Sequence, residues 1–119
     1  MQNRRKIGGD YEQKAAKYLE QQGFLVLERN FYSRCGEIDI IAKEGGYLVF
    51  IEVKYRRDTS CGEALEAVDA KKQKRICRTA SYFCMRRGYG DGTPCRFDVI
   101  AMSGDGGVIH IKNAFDYCI

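Results

Sequence analysis

Glu37, Asp39, Glu52 and Lys54 are the residues whose types and spacing could do chemistry. They lie either side of Gly45-Gly46, a preferred two-residue hairpin turn, in two stretches that read as strands, Glu37 to Lys43 and Tyr47 to Tyr55. With the glycine pair as the loop, Glu44 faces Tyr47. Counting back from that pair sets Asp39 across from Glu52 and Glu37 across from Lys54. Opposed side chains leave the sheet on the same face, with Cβ atoms about 4.5 to 5.5 Å apart. Ile38, Ile40, Val49, Ile51 and Val53 then point the other way, into an apolar layer. Two ionised carboxylates ~4 Å apart repel by about 4 kcal/mol at an effective dielectric of ~20, a large share of the ~5 to 15 kcal/mol that holds a domain together. Either a hard cation or Lys54 has to offset that repulsion. Mg²⁺ commonly takes one or two carboxylates and completes its shell with water and phosphate oxygens. Lys54, on the same face, is placed to orient an attacking water or to stabilise charge building on phosphate. Both arrangements suit phosphodiester chemistry.

Alternating charges more often make a solvated face of an amphipathic hairpin, and spacing alone leaves that reading open. Leu48 and Phe50 weigh against it, because they share the face with Glu52 and Lys54 and call for cover over it. Glu12 adds a further carboxylate. At 100° per residue it falls beside Leu19, at the border of the buried stripe of a first helix, while Lys14, Lys17 and Gln21 face away; a first-turn glutamate favouring the helix dipole is the alternative. Glu37 reads as a partner of Lys54, or as a group supporting the ligands from behind, rather than as a direct ligand.

The elements that must position these groups follow from periodicity. Asp10 and Gln13 have the spacing of a capping box, and Tyr11, Ala15, Tyr18 and Leu19 share a helical face to about Gln22, with Gly23 as the stop. Phe24 to Glu28 is a short strand, and the acidic hairpin supplies two more. Ala64 to Arg87 reads as one long helix with Leu65, Val68, Ile76, Ala80 and Phe83 on its apolar stripe and Gly88 at its end. Arg96 to Met102 and Val108 to Lys112 flank Gly104-Asp105-Gly106-Gly107, a second hairpin. The order αβββαββ implies a mixed α/β domain, a sheet covered by helices. On the long helix, Lys71, Lys74, Arg75 and Arg78 form a basic ridge opposite much of the core stripe, whereas Lys72 is turned toward it. Arg56 and Arg57 follow the catalytic strand directly. Tyr32, Tyr55 and Tyr82 read as packing residues before base-stacking ones.

Length and composition fit one domain spanning residues 1–119: 45% hydrophobic residues and a single proline give a chain able to bury a core. Apolar runs are far shorter than the ~20 residues of a membrane span, and the basic N-terminus lacks the apolar stretch of a secretory signal, so a cytoplasmic protein is expected. Twenty Lys and Arg against 16 acids, a net charge of +4, permit an anionic partner. The six cysteines form no C-x-x-C pair and read as reduced thiols, with Cys77 and Cys84 about 10 Å apart along the helix. His110 carries no weight as a ligand.

Gly36-Glu37-Ile38-Asp39-Ile40-Ile41, followed by Phe50-Ile51-Glu52-Val53-Lys54, resembles the D…(D/E)-x-K nuclease signature. More closely, the chain resembles the YraN-type family of small bacterial proteins. Arg29-Asn30-Phe31, Ala67-Val68 with Lys72, Arg96-Phe97-Asp98-Val99 and Ile111-Lys112-Asn113-Ala114-Phe115 carry that resemblance across nearly the whole chain. It implies a restriction-endonuclease-like fold, of the tRNA-endonuclease-like superfamily and akin to archaeal Holliday-junction resolvases, with a central mixed sheet of about five strands and flanking helices. By the same resemblance the site is Glu12, Asp39, Glu52 and Lys54. Asp39 and Glu52, with Glu12 assisting, hold Mg²⁺ or Mn²⁺, and DNA, branched or damaged, is the substrate. Arg56, Arg57, Lys71, Lys72, Lys74, Arg75 and Arg78 are the expected contacts to it. The resolvase-like relatives act as dimers, and a homodimer is what symmetric cutting of two strands requires.

Overall fold

The computed structural model describes residues 4–56, 65, 66 and 68–118, with side chains described from Tyr11 onward. Its elements are α1 (Arg4–Gln21), β1 (Leu25–Ser33), β2 (Gly36–Glu44), β3 (Tyr47–Arg56), α2 (Ala70–Arg87), β4 (Cys95–Ser103) and β5 (Val108–Phe115). The strands make one sheet in the order β1-β2-β3-β4-β5. Neighbours are antiparallel except β3 and β4, which run parallel and are joined through α2. This is a mixed α/β fold compatible with the expected nuclease-like core. Among the described residues no helix is long and apolar enough to cross a membrane.

Each helix covers one face. Ala15, Ala16 and Leu19 of α1, with Phe24, pack on Ile40, Ala42, Val49, Ile51, Ile100 and Met102. Ile76, Cys77, Ala80 and Phe83 of α2, with Val68, pack on Ile38, Ile41, Leu48, Phe50, Phe97, Val99 and Ala101. The sheet is therefore buried on both sides, as a parallel β-α-β unit needs. Leu48 and Phe50 lie under α2, which puts the next outward positions on that face, Glu52 and Lys54, beneath the same helix.

Local chemistry sets most boundaries. The Asp69 side chain accepts from Lys72 N at 2.9 Å and starts α2. The expected helix from Ala64 is accordingly shorter; Leu65 is 43% exposed and is no part of a buried stripe. Gly45 and Gly46, with φ of 56° and 90°, form the tight hairpin turn, and pairing runs from Glu44↔Tyr47 to Ile40↔Ile51 in the register that turn dictates. α1 begins at Arg4 rather than Asp10, passing through Gly8-Gly9, and nothing in the described residues explains why the capping-box spacing is overridden.

β1 is longer than expected because Arg29, Phe31 and Tyr32 continue to pair with Ile40, Ile38 and Glu37. Two irregularities hide this in the sequence: a register shift between Val26 and Glu28, and a left-handed Asn30 at φ 54°. Asn30 falls opposite Asp39. There the alternation of β2 slips, so that Ile38 packs under α2, not with Ile40 under α1 as strict alternation requires.

Candidate active site

The ladder between β2 and β3 stops at Ile40↔Ile51. Continued by alternation, Val53 N–H would pair with the Ile38 carbonyl. Instead it donates to Asp39 Oδ2 at 2.8 Å. The expected backbone pairs Asp39–Glu52 and Glu37–Lys54 are thus absent from the ladder, because the Asp39 carboxylate takes the place of the strand. The two strands part there, and the acids gather in the opening.

Asp39 and Glu52 are each only 7% exposed. Burial first, then the charge of Glu52, lifts the Asp39 carboxyl from 3.8 to about 8, with Glu12 and Glu37 adding to the rise and Val53 N–H opposing it. Glu52 carries two cations: Lys72 Nζ at 2.8 Å and Lys54 Nζ at 3.3 Å, both on Oε1. Lys54 is lowered from its ordinary value by burial and by the neighbouring Lys72, against the pull of Glu52. For Lys72 burial works in the same direction, but its hydrogen bonds to Glu52 and Lys54 outweigh it and raise the group. Of the two amines, Lys54 parts with its proton more readily.

Glu12 faces inward from α1, with Arg29 Nη2 4.0 Å from its Oε2, while Arg29 Nη1 donates to Gln13 Oε1 at 2.6 Å. It acts on Asp39 through charge. Among the described residues no three or more His, Cys, Asp or Glu side chains are arranged to hold a metal ion, so Glu12 is not drawn with Asp39 and Glu52 into a three-carboxylate set. What the opening offers a hard cation is two carboxylates, within the range Mg²⁺ uses.

A cavity of about 160 Å³ opens beside this pair, lined by Gly36, Glu37, Glu52, Lys72, Arg75 and Ile76. Gly36 takes φ 151°, a backbone conformation L side chains rarely adopt, while the space beside α2 would admit a Cβ in ordinary contact, 3.6 Å from Arg75 Cβ and Thr79 Oγ1. Lys71, Lys74 and Arg78 lie exposed on α2, and Arg56 is exposed at the end of β3. Arg57 lies outside the described residues.

Comparison with known proteins agrees with the motifs. The model of the Uncharacterised protein family UPF0102 matches residues 11–102. The chain belongs to the UPF0102 family. A UPF0102 protein of Lachnoclostridium phytofermentans is 47% identical over 114 residues, 96% of each chain. One from Symbiobacterium thermophilum is 45% identical over 115 residues, 93% of this chain and 97% of its own. One from Persephonella marina is 43% identical over 109 residues, 92% of each.

The matched UPF0102 span, residues 11–102, contains Glu12, Asp39, Glu52, Lys54 and Lys72, and also residues whose part the sequence did not disclose. Asn30 kinks β1 opposite Asp39, and Arg29 holds α1 beside the opening; both sit in Arg29-Asn30-Phe31, beyond the expected end of the strand at Glu28. Asp98, with its side chain fully buried, answers to Arg96 Nε at 2.9 Å, His110 Nε2 at 2.8 Å and Asn113 N at 3.0 Å. His110 Nδ1 and the Tyr18 hydroxyl are 3.1 Å apart, and Arg96 continues to Glu44 at 2.8 Å. Burial works to raise Asp98, and these hydrogen bonds outweigh it and hold it below its ordinary value. The network ties β4 to β2, β5 and α1 from a strand position that pairs with Ile51, next to Glu52.

Proposed function

We propose that the protein is a metal-dependent phosphodiesterase that cuts DNA at the Asp39–Glu52 pair. The observation carrying this reading is two nearly buried carboxylates set together where β2 and β3 part, with two lysines on one of them. Burying like charges destabilises a fold, and titratable groups pushed this far from their ordinary values gather at functional sites. The donors suit Mg²⁺ or Mn²⁺: hard oxygens, Asp39 oriented through Oδ2 by Val53 N–H, and Glu52 held through Oε1. A divalent cation bound there would supply Lewis-acid polarisation and a more acidic water.

The chain's own residues do the rest. Lys54 orients the attacking water and accepts its proton, the role its lowered affinity for protons suits. Lys72 stays charged on Glu52 and, with Arg75, lines the cavity a phosphate would enter. Glu12 and Glu37 adjust the charge around Asp39. Arg56, Lys71, Lys74 and Arg78 extend a positive surface suited to a nucleic-acid backbone. Branched or damaged DNA, cut by a homodimer, is the substrate this reading favours on the family resemblance.

One observation favours a second reading, a nucleic-acid-binding module with little or no cleavage: Lys72 and Lys54 already offset the charge of Glu52 without a cation. Incubating the protein with linear, branched and single-stranded DNA and RNA in Mg²⁺, Mn²⁺ or EDTA separates the two. Cuts in DNA that EDTA abolishes support the phosphodiesterase. Binding that neither cuts nor responds to metal replaces it with the binding module, and an absence of both overturns each.

A further inference from the structure

We propose that Cys77 and Cys118 form an oxidation site, at which a low-molecular-mass disulfide such as oxidised glutathione drives closure of an intramolecular disulfide between the segment after β5 and α2. The two Sγ atoms are 3.7 Å apart, and the backbone N–H of Cys118 donates to Cys77 Sγ at 3.2 Å. A disulfide needs ~2.05 Å, so the sulfurs have ~1.7 Å to travel. The partner outside the packed core is the one that must shift. Cys77 is fully buried on the core face of α2, whereas Cys118 is partly exposed in Asp116–Cys118, which belongs to neither helix nor strand. Rotation of the Cys118 side chain with a small shift of this segment closes the gap without disturbing the packed core.

The segment is already docked where the bond would fasten it. The Tyr117 and Ser81 hydroxyls are 2.7 Å apart, and the Tyr117 ring stacks 6.4 Å from that of Phe97. Tyr117 also lines a cavity of about 740 Å³ between the second half of α2 and the starts of β3 and β4, together with Phe50, Cys84, Tyr89, Cys95 and Phe97. Closure would pin Tyr117 over this cavity and tie the segment to α2 two residues from Arg75. The inference stands apart from the phosphodiesterase reading.

The chemistry balances as thiol–disulfide exchange. The Cys118 sulfur, the accessible one, attacks the glutathione disulfide, forming a mixed disulfide and expelling one glutathione thiolate. Cys77 sulfur then attacks Cys118 sulfur and expels the second. The two cysteine protons end on the two glutathiones, which are reduced as the protein pair is oxidised. Cys77 is the poorer first nucleophile, since burial pushes its thiol up to about 11. In this structure the two sulfurs are separate thiols.

The test treats the purified full chain with oxidised glutathione, maps disulfides by peptide mass spectrometry and records melting with and without dithiothreitol. The expected product has lost two hydrogen atoms and carries one link between Cys77 and Cys118. It melts roughly 10 °C higher, as closing a long loop implies, and dithiothreitol reverses the rise. Cys118→Ser, which leaves the buried Cys77 in place, should fold normally and show neither link nor shift. A lasting glutathione adduct on Cys118, a link between Cys84 and Cys95 instead, no reaction, or a linked protein that melts no higher would each overturn the proposal.

Discussion

Asp39 is the residue on which the account turns, and its ionisation makes a prediction free of any assumption about catalysis. In the unfolded chain its carboxyl titrates near 3.8, in the folded protein at about 8. Between those values the native state holds a proton that the unfolded chain does not, so the contribution of Asp39 to stability falls as pH rises from about 4 to about 8. Asp39→Asn removes that slope. In EDTA at pH 8 the variant should be more stable than the parent by on the order of a few kcal/mol, and the difference should shrink toward pH 4; urea unfolding across that range checks it. Divalent cation binding must displace the same proton, so affinity should climb with pH up to about 8 and be accompanied by proton release, which calorimetry in buffers of different ionisation enthalpy reads. Lys54→Ala should stop cleavage but keep most of the metal affinity, since the amine touches Glu52 only through the oxygen it shares with Lys72.

The strand framework around Asp98 carries the opposite sign. Its carboxyl is held below 3.8, so what it contributes is present above that value and lost as pH falls further. Asp98→Asn weakens the buried acceptor that answers to Arg96, His110 and Asn113, and because Arg96 keeps Glu44 a loss of about 1 to 3 kcal/mol is expected. Chemical denaturation at pH 7 would show it, together with acid unfolding that no longer steepens below about 4. At this scale the sequence was legible wherever a local rule dominates: Gly45-Gly46 set the hairpin register, Gly23 and Gly88 ended helices, and the apolar stripe of α2 marked its buried side. It was illegible where two elements negotiate. Asn30 and the shift at Val26/Glu28 broke the strand pattern of β1, so pairing as far as Ser33 was invisible. The slip at Asp39 sent Ile38 to the opposite face from the one its position in the alternation implies. The acids and Lys54 were legible as a constellation from one hairpin; the part of Arg29 was not, because it depends on where α1 lands. Lys72 stood between, turned toward the core by helical phase, its partner fixed only once α2 was docked over Glu52.

At the scale of the whole molecule, Arg56 at the end of β3 and Lys71, Lys74, Arg75 and Arg78 on α2 are exposed, and Arg75 also lines the cavity beside Glu52. DNA binding should therefore weaken steeply with salt, with a slope of about −0.9 per phosphate contact on a duplex. Changing Lys74 and Arg75 together to alanine should flatten the slope by roughly 1 to 2; an unchanged slope in a fluorescence titration would make the ridge a solvated face. The central claim, that Asp39 and Glu52 hold a cation that cuts DNA, is tested most directly by comparing the parent with Asp39→Asn in single-turnover cleavage of a labelled branched DNA in Mn²⁺, with binding measured in parallel in EDTA. The parent should cut, and the variant should cut more slowly by at least the roughly 10- to 100-fold typical even of residues that only orient a metal ligand. In EDTA below about pH 8 its affinity for the DNA should match the parent's, because the parent's Asp39 already holds a proton there and the substitution removes no charge. A variant that cuts as fast as the parent, or a parent that binds the DNA and cuts it with no divalent cation, would contradict the account.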